Sequence, residues 1–304
     1  MHAAVLKYLV EVARCGSVRK ASEKLFVAAS AVNRQILNLE EELGIELFDR
    51  VPNGLRLNAA GERLLQHAQA TLHDFQAVRT ELDALKGDRT GHVKLVSMDS
   101  LFIDVLPAVV EEFSQVYPAA TYTFTVAQPM DVAAMVLSGQ ADIGCSFLGR
   151  LPSGVAAVSV VAMPLGIVMP PGHPLAARDK ISLAELARYP FMRSSTSAAV
   201  TSAMCPEFAR FWDETEPVAT CTWTPMLKRL ITAGKGISCF SKIAFVDELS
   251  RGELVWRPFE LPALNDIAVG ILVPTQRAVQ HISQNFLARL AKRLKHLEAT
   301  AAAL

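Results

Sequence analysis

Apolar positions in the first sixty residues recur at spacings of three and four. Val5, Leu6, Leu9, Val12 and Ala13 predict a helix that ends at Cys15-Gly16. Ser17 is placed to cap a short second helix with Ala21 and Leu25 inward, and Phe26-Val27-Ala28 forms an apolar turn. A third helix follows with Val32, Ile36, Leu39 and Leu43 on one stripe, while its opposite face carries Ala28, Ala29, Ser30, Asn33, Arg34 and Asn38. Leu47-Phe48-Asp49-Arg50 and Leu55-Arg56-Leu57 then flank Pro52-Asn53-Gly54, and Asn-Gly between short apolar runs predicts a hairpin. Two helices joined by a tight break, a polar-faced third helix and a hairpin make a winged helix-turn-helix over residues 1–58.

From Asn58, a good cap, a seam runs through Leu64, Ala68, Thr71, Phe75, Val78, Leu82 and Leu85, with Leu65 and Leu72 alongside. Three apolar heptads predict a helix that packs on a partner, although packing within one chain produces the same pattern. Lys86-Gly87-Asp88-Arg89-Thr90-Gly91 ends the periodicity and marks a hinge, so the linker helix occupies residues 59–87 and a second domain residues 88–304.

From His92 onward, strand-like and helical runs alternate: strand, helix, strand, helix and strand at 93–97, 106–113, 122–127, 132–137 and 141–146. The rhythm resumes with strands at 165–169 and 236–240 and a helical run at 183–186, which predicts a mostly parallel sheet and two similar lobes. Lobe 1 covers about residues 92–161 and 266–304, and lobe 2 about 162–265. The apolar stretch from 154 to 172 contains Pro164, Pro170 and Pro171, which suits two buried strands better than a membrane helix.

Thirty Lys plus Arg balance thirty Asp plus Glu over 304 residues, but the charge is uneven. Residues 1–38 carry Lys7, Arg14, Arg19, Lys20, Lys24 and Arg34 against Glu11 and Glu23, a basic head, whereas residues 39–49 carry five acids and no base. A composition 51% apolar and 20% charged excludes a disordered chain. The start lacks the pattern of a signal peptide, which leads us to expect a cytoplasmic protein with no membrane partner. Five cysteines without a CxxC pair support neither a disulfide framework nor a zinc site, and no metal or cofactor is expected. Cys205 with Cys221 is the one redox pair worth testing. Nucleophile elbow, phosphate loop and dinucleotide fingerprint are all missing, so an enzyme is not expected.

Asn33 can make the paired contacts adenine requires, and Arg34 can grip guanine or a phosphate. A solvated helix face explains those residues taken alone; the following hairpin, with Arg50 and Arg56 as phosphate contacts, favours DNA. Here the motifs become specific. Gly16-Ser17-Val18 through Ala21, Arg34-Gln35-Ile36, Leu39-Glu40-Glu41-Glu42-Leu43-Gly44, Leu47-Phe48-Asp49-Arg50 and Ala60-Gly61 resemble the LysR-type transcriptional regulators. In the second domain Leu106-Pro107, Tyr117-Pro118, Gly139-Gln140-Ala141-Asp142-Ile143, His173-Pro174-Leu175 and Ala233-Gly234-Lys235-Gly236-Ile237 extend the resemblance over nearly the whole chain.

The resemblance implies an α + α/β chain: the winged head, a dimerising linker helix and a two-lobed effector domain folded like type 2 periplasmic binding proteins. It implies DNA contacts at Arg34 and Arg50, then Ser17, Ser30 and Asn33, and a homodimer or a tetramer made from two dimers on dyad half-sites. RNA polymerase is a further candidate partner. One stretch departs: Ala28-Ala29-Ser30 stands where the family commonly has Ser-Gln-Pro, losing a capping hydroxyl and a base-reading amide. An exported transport-type binding protein has the same lobes but no winged head.

Ligands in open α/β sheets bind beyond the carboxyl ends of strands. That rule selects Ser97 and Ser100 after the first strand, Gln128 after the second, Phe147 after the third, Ser194 and Thr196 in the second lobe, and Thr224 beside Trp223. Loop capping is the plainer account of the same serines and threonines. The expected effector is a small organic acid or amino-acid-like metabolite; Asp99, if it faces the cleft, would repel a simple anion and point instead to a zwitterionic, aromatic or neutral effector. The basic C-terminal run Arg289, Lys292, Arg293 and Lys295 reads as a solvated helix face.

Overall fold

The computed structural model describes residues 3–52, 54–84, 90–195, 200 and 205–303, and their side chains except at 3, 73, 74, 76, 77, 79–84 and 90. Two compact units are formed, one over Met1–Gly87 and Leu137–Gln140 and one over Asp88–Val136 and Ala141–Leu304.

In the first unit, α1 (Ala3–Cys15), α2 (Val18–Leu25) and α3 (Ala29–Leu43) enclose Leu6, Leu9, Val12, Ala21, Val32, Ile36 and Leu39, all buried. Leu43 departs from expectation: α3 ends one residue later at the left-handed Gly44, and its last turn leaves Leu43 44% exposed. The hairpin is present as β1 (Phe48–Val51) and β2 (Gly54–Leu57), paired antiparallel; its turn residue Asn53 lies outside the described residues. Gly54 has φ 134°, and a Cβ there would overlap the Gly16 carbonyl oxygen, which also accepts Leu55 N at 2.8 Å. The wing thus rests directly on the turn between α1 and α2.

Helix α4 (Ala59–Ala84) starts at Asn58, whose Oδ1 accepts Gly61 N at 2.9 Å while its Nδ2 donates to Glu46 O at 2.8 Å. The expected partner seam is divided. Ala68 is fully buried in the head's own core, and Leu64 and Leu72 pack against it, because the first turns of α4 lie on α1. Thr71 is exposed, as are Phe75 (62%) and Val78 (53%). The Leu82 side chain and all of Leu85 lie outside the described residues.

The second unit holds two five-stranded sheets. Lobe 1 contains β3 (Thr90–Ser97), β4 (Ala119–Val126), β5 (Ile143–Phe147), β6 (Val155–Ala162) and β12 (Ala268–Pro274), in the order β4-β3-β5-β12-β6. Helices α5 (Val105–Val116), α6 (Pro129–Leu137) and α12 (His281–Ala303) complete it. Lobe 2 contains β7 (Leu165–Met169), β8 (Phe191–Ser194), β9 (Ala219–Cys221), β10 (Ile237–Ser241) and β11 (Val255–Pro258), in the order β11-β7-β10-β8-β9. Its helices are α7 (Leu183–Leu186), α8 (Pro206–Glu214), α9 (Thr224–Thr232), α10 (Val246–Ser250) and α11 (Pro262–Asn265).

Two expectations are corrected. The sheets are mixed rather than mostly parallel: β3 pairs parallel with β4 and β5, and β8 with β9 and β10, but β7 and β12 meet every neighbour antiparallel. These two strands follow the crossings between lobes and enter their sheets from the opposite direction. Of the two strands expected to be buried in the 154–172 stretch, β7 is buried throughout, whereas β6 is a sheet edge with Val158 and Val160 half exposed.

Candidate functional site

In the first unit the exposed face of α3 carries Ser30, Asn33, Arg34, Leu37 and Asn38, held outward because Val32, Ile36 and Leu39 are fixed inward. Ala28, at the N-cap, supplies no side-chain bond to the first amides of α3, and its carbonyl accepts Ala31 N at 3.0 Å. Ser17 is the N-cap of α2, its Oγ accepting Lys20 N at 3.4 Å, which gives the hydroxyl a structural task. In the apolar turn between α2 and α3, Phe26 is 94% exposed with φ 55°, a conformation ordinarily taken by Gly or Asn, and the sequence reading gave it no functional part. An aromatic residue at a helix C-cap was the available signal.

On the wing, Arg50 is opposite Leu55 and Arg56 is opposite Asp49. Directly opposed residues share a face and successive residues alternate, so the two arginines sit on opposite faces of the hairpin. Each is exposed, so a phosphate reached by one lies on the other side of the hairpin from a phosphate reached by the other, and Asp49 offsets the charge on the face of Arg56. Glu40 on α3 fixes the root of the wing by accepting Leu47 N at 2.8 Å.

In the second unit, the carboxyl ends of β3, β5, β8 and β10 converge. Asp99, Ser100 and Phe147 of lobe 1 meet Ser194, Thr224, Phe240 and Ser241 of lobe 2 around a niche of about 10 Å³, room for one water-sized group. Asp99 Oδ2 accepts Thr224 N, in the first turn of α9, at 2.6 Å, and Asp99 Oδ1 has no hydrogen-bond partner. A carboxylate of one lobe therefore sits at the positive end of a helix in the other. A second tie runs from Asp104 to Lys228 at 3.9 Å; burial raises the Asp104 carboxyl above the usual range, with Lys228 opposing the shift.

Asp99 also borders a cavity of about 740 Å³ lined by Phe102, Ile103, Val126, Gln128, Thr222 and Trp223 among others. A third cavity, about 540 Å³ and largely apolar, lies among Met130, Phe147, Leu148, Arg150, Leu151 and Val200.

Of the predicted lining residues, the structure gathers Ser100, Phe147, Ser194 and Thr224 in the niche and puts Gln128 in the adjoining cavity. Ser97 lines none of these cavities; it is fully buried at the end of β3. Thr196 lies outside the described residues. Phe240 and Ser241 were missed, although the rule that selected the other strand ends applies equally to β10. Arg193, beside Ser194, donates instead to the carbonyls of Trp212 and Thr215 and stacks 4.9 Å from the Trp212 ring.

Residues 4–62 match the family model described as bacterial regulatory helix-turn-helix protein, lysR family, and residues 86–295 match the LysR substrate binding domain. The HTH-type transcriptional regulator SsuR of Burkholderia cenocepacia is 26% identical over 239 residues, 78% of this chain and 77% of its own length. The HTH-type transcriptional regulator YeiE of Escherichia coli, itself uncharacterized, is 29% identical over 268 residues, 85% of this chain and 87% of its own. A full-length OxyR variant from Pseudomonas aeruginosa superimposes with a TM-score of 0.68 at 19% identity, over 97% of this chain and 95% of that one.

Proposed function

We propose that this chain, which belongs to the LysR family of bacterial transcriptional regulators, reads DNA through α3 and reports a small molecule held between its two α/β lobes. Members of the family are regulators with a DNA-binding head and an effector-binding domain, not enzymes. Asn33 and Arg34 reach base edges, Leu37 adds an apolar contact, and Arg50 meets the phosphate backbone. The observation that carries the sensing half is the niche built from both lobes at the strand ends. A ligand entering there must alter the contact between Asp99 and Thr224, and with it the closure of the lobes.

Only a ligand that binds one assembly better than another can shift DNA binding. Two copies joined along the exposed part of α4 present two α3 helices to two half-sites, and a pair of such dimers spans a dyad and bends the DNA between. The bound assembly then acts on RNA polymerase in the cytoplasm. The test combines thermal unfolding of the full chain against carboxylates, amino acids, amines and aromatic compounds with footprinting on its promoter DNA. A stabilising compound is expected to change the footprint. A compound that fills the cleft across a titration yet leaves footprint and transcription unchanged would sink the sensing mechanism.

A further inference from the structure

We infer that the ligand read by this cleft carries a protonated amine on an apolar body, with Asp99 as its counter-ion. The inference rests on the inter-lobe cleft being the sensing site and names the chemistry it selects.

Asp99 is 6% exposed, and only Oδ2 is engaged, by Thr224 N; Oδ1 is buried without a partner. A buried carboxylate oxygen left unpaired by the protein is destabilising, and in a cleft it is open to a donor that arrives from outside. What surrounds it suits an ammonium group. Ser100, Thr224 and Ser241 bring hydroxyl oxygens able to accept, and Phe147 and Phe240 bring aromatic rings, whose faces attract cations. The niche admits one water-sized group, the size of an ammonium head and smaller than a carboxylate.

An anionic head is disfavoured twice. The N-terminus of α9, where a ligand's carboxylate would be welcome, already holds the chain's own carboxylate. Among the described residues, Asp99 is the only ionisable side chain lining either the niche or the 740 Å³ cavity beside it. Arg193, the nearest basic residue in sequence to Ser194, lines neither of them and turns its Nη2 to the carbonyls of Trp212 and Thr215. The body of the ligand then meets Phe102, Ile103, Val126, Trp223 and Pro225, an apolar and aromatic wall, with Gln128 and Thr222 for one further polar group.

The experiment measures thermal unfolding of the full-length protein with matched probes: phenethylamine against 3-phenylpropionate, and tryptamine against indole-3-propionate. The amines are expected to raise Tm saturably and the acids to leave it unchanged. Asp99→Asn keeps an acceptor for Thr224 N and removes the unpaired charge, so its unliganded Tm should equal or exceed that of the wild type while amine affinity falls about tenfold or more. Ser241→Ala, which leaves the Asp99 to Thr224 bond in place, should weaken amine protection several-fold.

Three results would overturn the assignment. If the acids protect and the amines do not, or if no amine protects at millimolar concentration, Asp99 is not a counter-ion, and acid protection would leave the cleft as the sensing site. If Asp99→Asn unfolds well below the wild type and Ser241→Ala binds amines normally, Asp99 serves to hold the lobes together. If amines protect both variants as well as the wild type, they bind elsewhere, which counts against the cleft itself.

Discussion

Arg277 and Asp142 form an ion pair at 3.3 Å with side chains only 4% and 0% exposed, joining the segment after β12 to the start of β5. Ser283 Oγ donates to the other carboxylate oxygen at 3.2 Å, and Arg277 also donates to Ala141 O at 2.6 Å. The returning C-terminal segment is thereby fastened to lobe 1. Removing one partner leaves a buried charge uncompensated: Asp142→Ala should destabilise the second unit by about 3 to 5 kcal/mol in urea unfolding. Combining it with Arg277→Met should recover much of that loss, since apolar replacement of both partners removes the stranded charge. A double variant no more stable than the single would contradict this account.

Arg34 and Arg50 should separate on DNA. Arg34→Ala is expected to lose about 1 to 3 kcal/mol of affinity for specific sites and less for random sequence. Arg50→Ala should weaken all sequences alike and flatten the salt dependence by about one phosphate contact. Fluorescence anisotropy at several salt concentrations distinguishes them, and equal losses for Arg34→Ala on specific and random DNA would refute its base-reading role.

The division of α4 predicts opposite phenotypes along one helix. Phe75→Glu with Val78→Glu should weaken self-association in sedimentation velocity while leaving the unfolding of the head near wild type. Ala68→Glu should unfold the head instead, because it forces a charge into a core position that is fully buried. Normal self-association by the first variant would place the partner surface elsewhere.

The wing is expected to depend on backbone geometry at its base. Gly54→Ala must relieve both the positive φ and the overlap with the Gly16 carbonyl, and should destabilise the head by about 1 to 3 kcal/mol. Asn58→Ala removes the cap of α4, with an expected loss of about 1 kcal/mol. Chemical denaturation of the two variants checks the order, Gly54→Ala being the more damaging.

The buried cysteines are expected to be silent to oxidants. Burial pushes the Cys145 thiol up to about 12 and raises Cys239 and Cys205 as well, so at neutral pH these stay protonated and poorly nucleophilic. DNA affinity measured with and without peroxide should be the same for the wild type and for Cys205→Ser with Cys221→Ser. An oxidant response lost in the double variant would establish a redox switch.

Much of the fold was legible in local pattern. The apolar stripe of α3, the cap at Ser17 and the Gly54 turn are short-range signals, and each specifies its element through a periodicity or a dihedral that neighbours in sequence set. The alternation of strands and helices likewise announced two α/β lobes. Strand direction was not legible: β7 and β12 carry the same apolar pattern in either orientation, and the crossings between lobes decide it.

By itself, then, the sequence determined the winged head, the long helix after it, the two lobes and the strand ends that border the niche, because periodicity, caps and turns are encoded within a few residues. Only the tertiary structure decided that Arg50 and Arg56 face apart, since face is a property of hairpin register. It alone showed that Ala68 belongs to the head's own core, since a heptad seam does not say whose surface it meets. And it alone brought Asp99 to the N-terminus of α9 with one oxygen unpaired, because residues 125 positions apart acquire a shared chemistry only when two lobes close on each other.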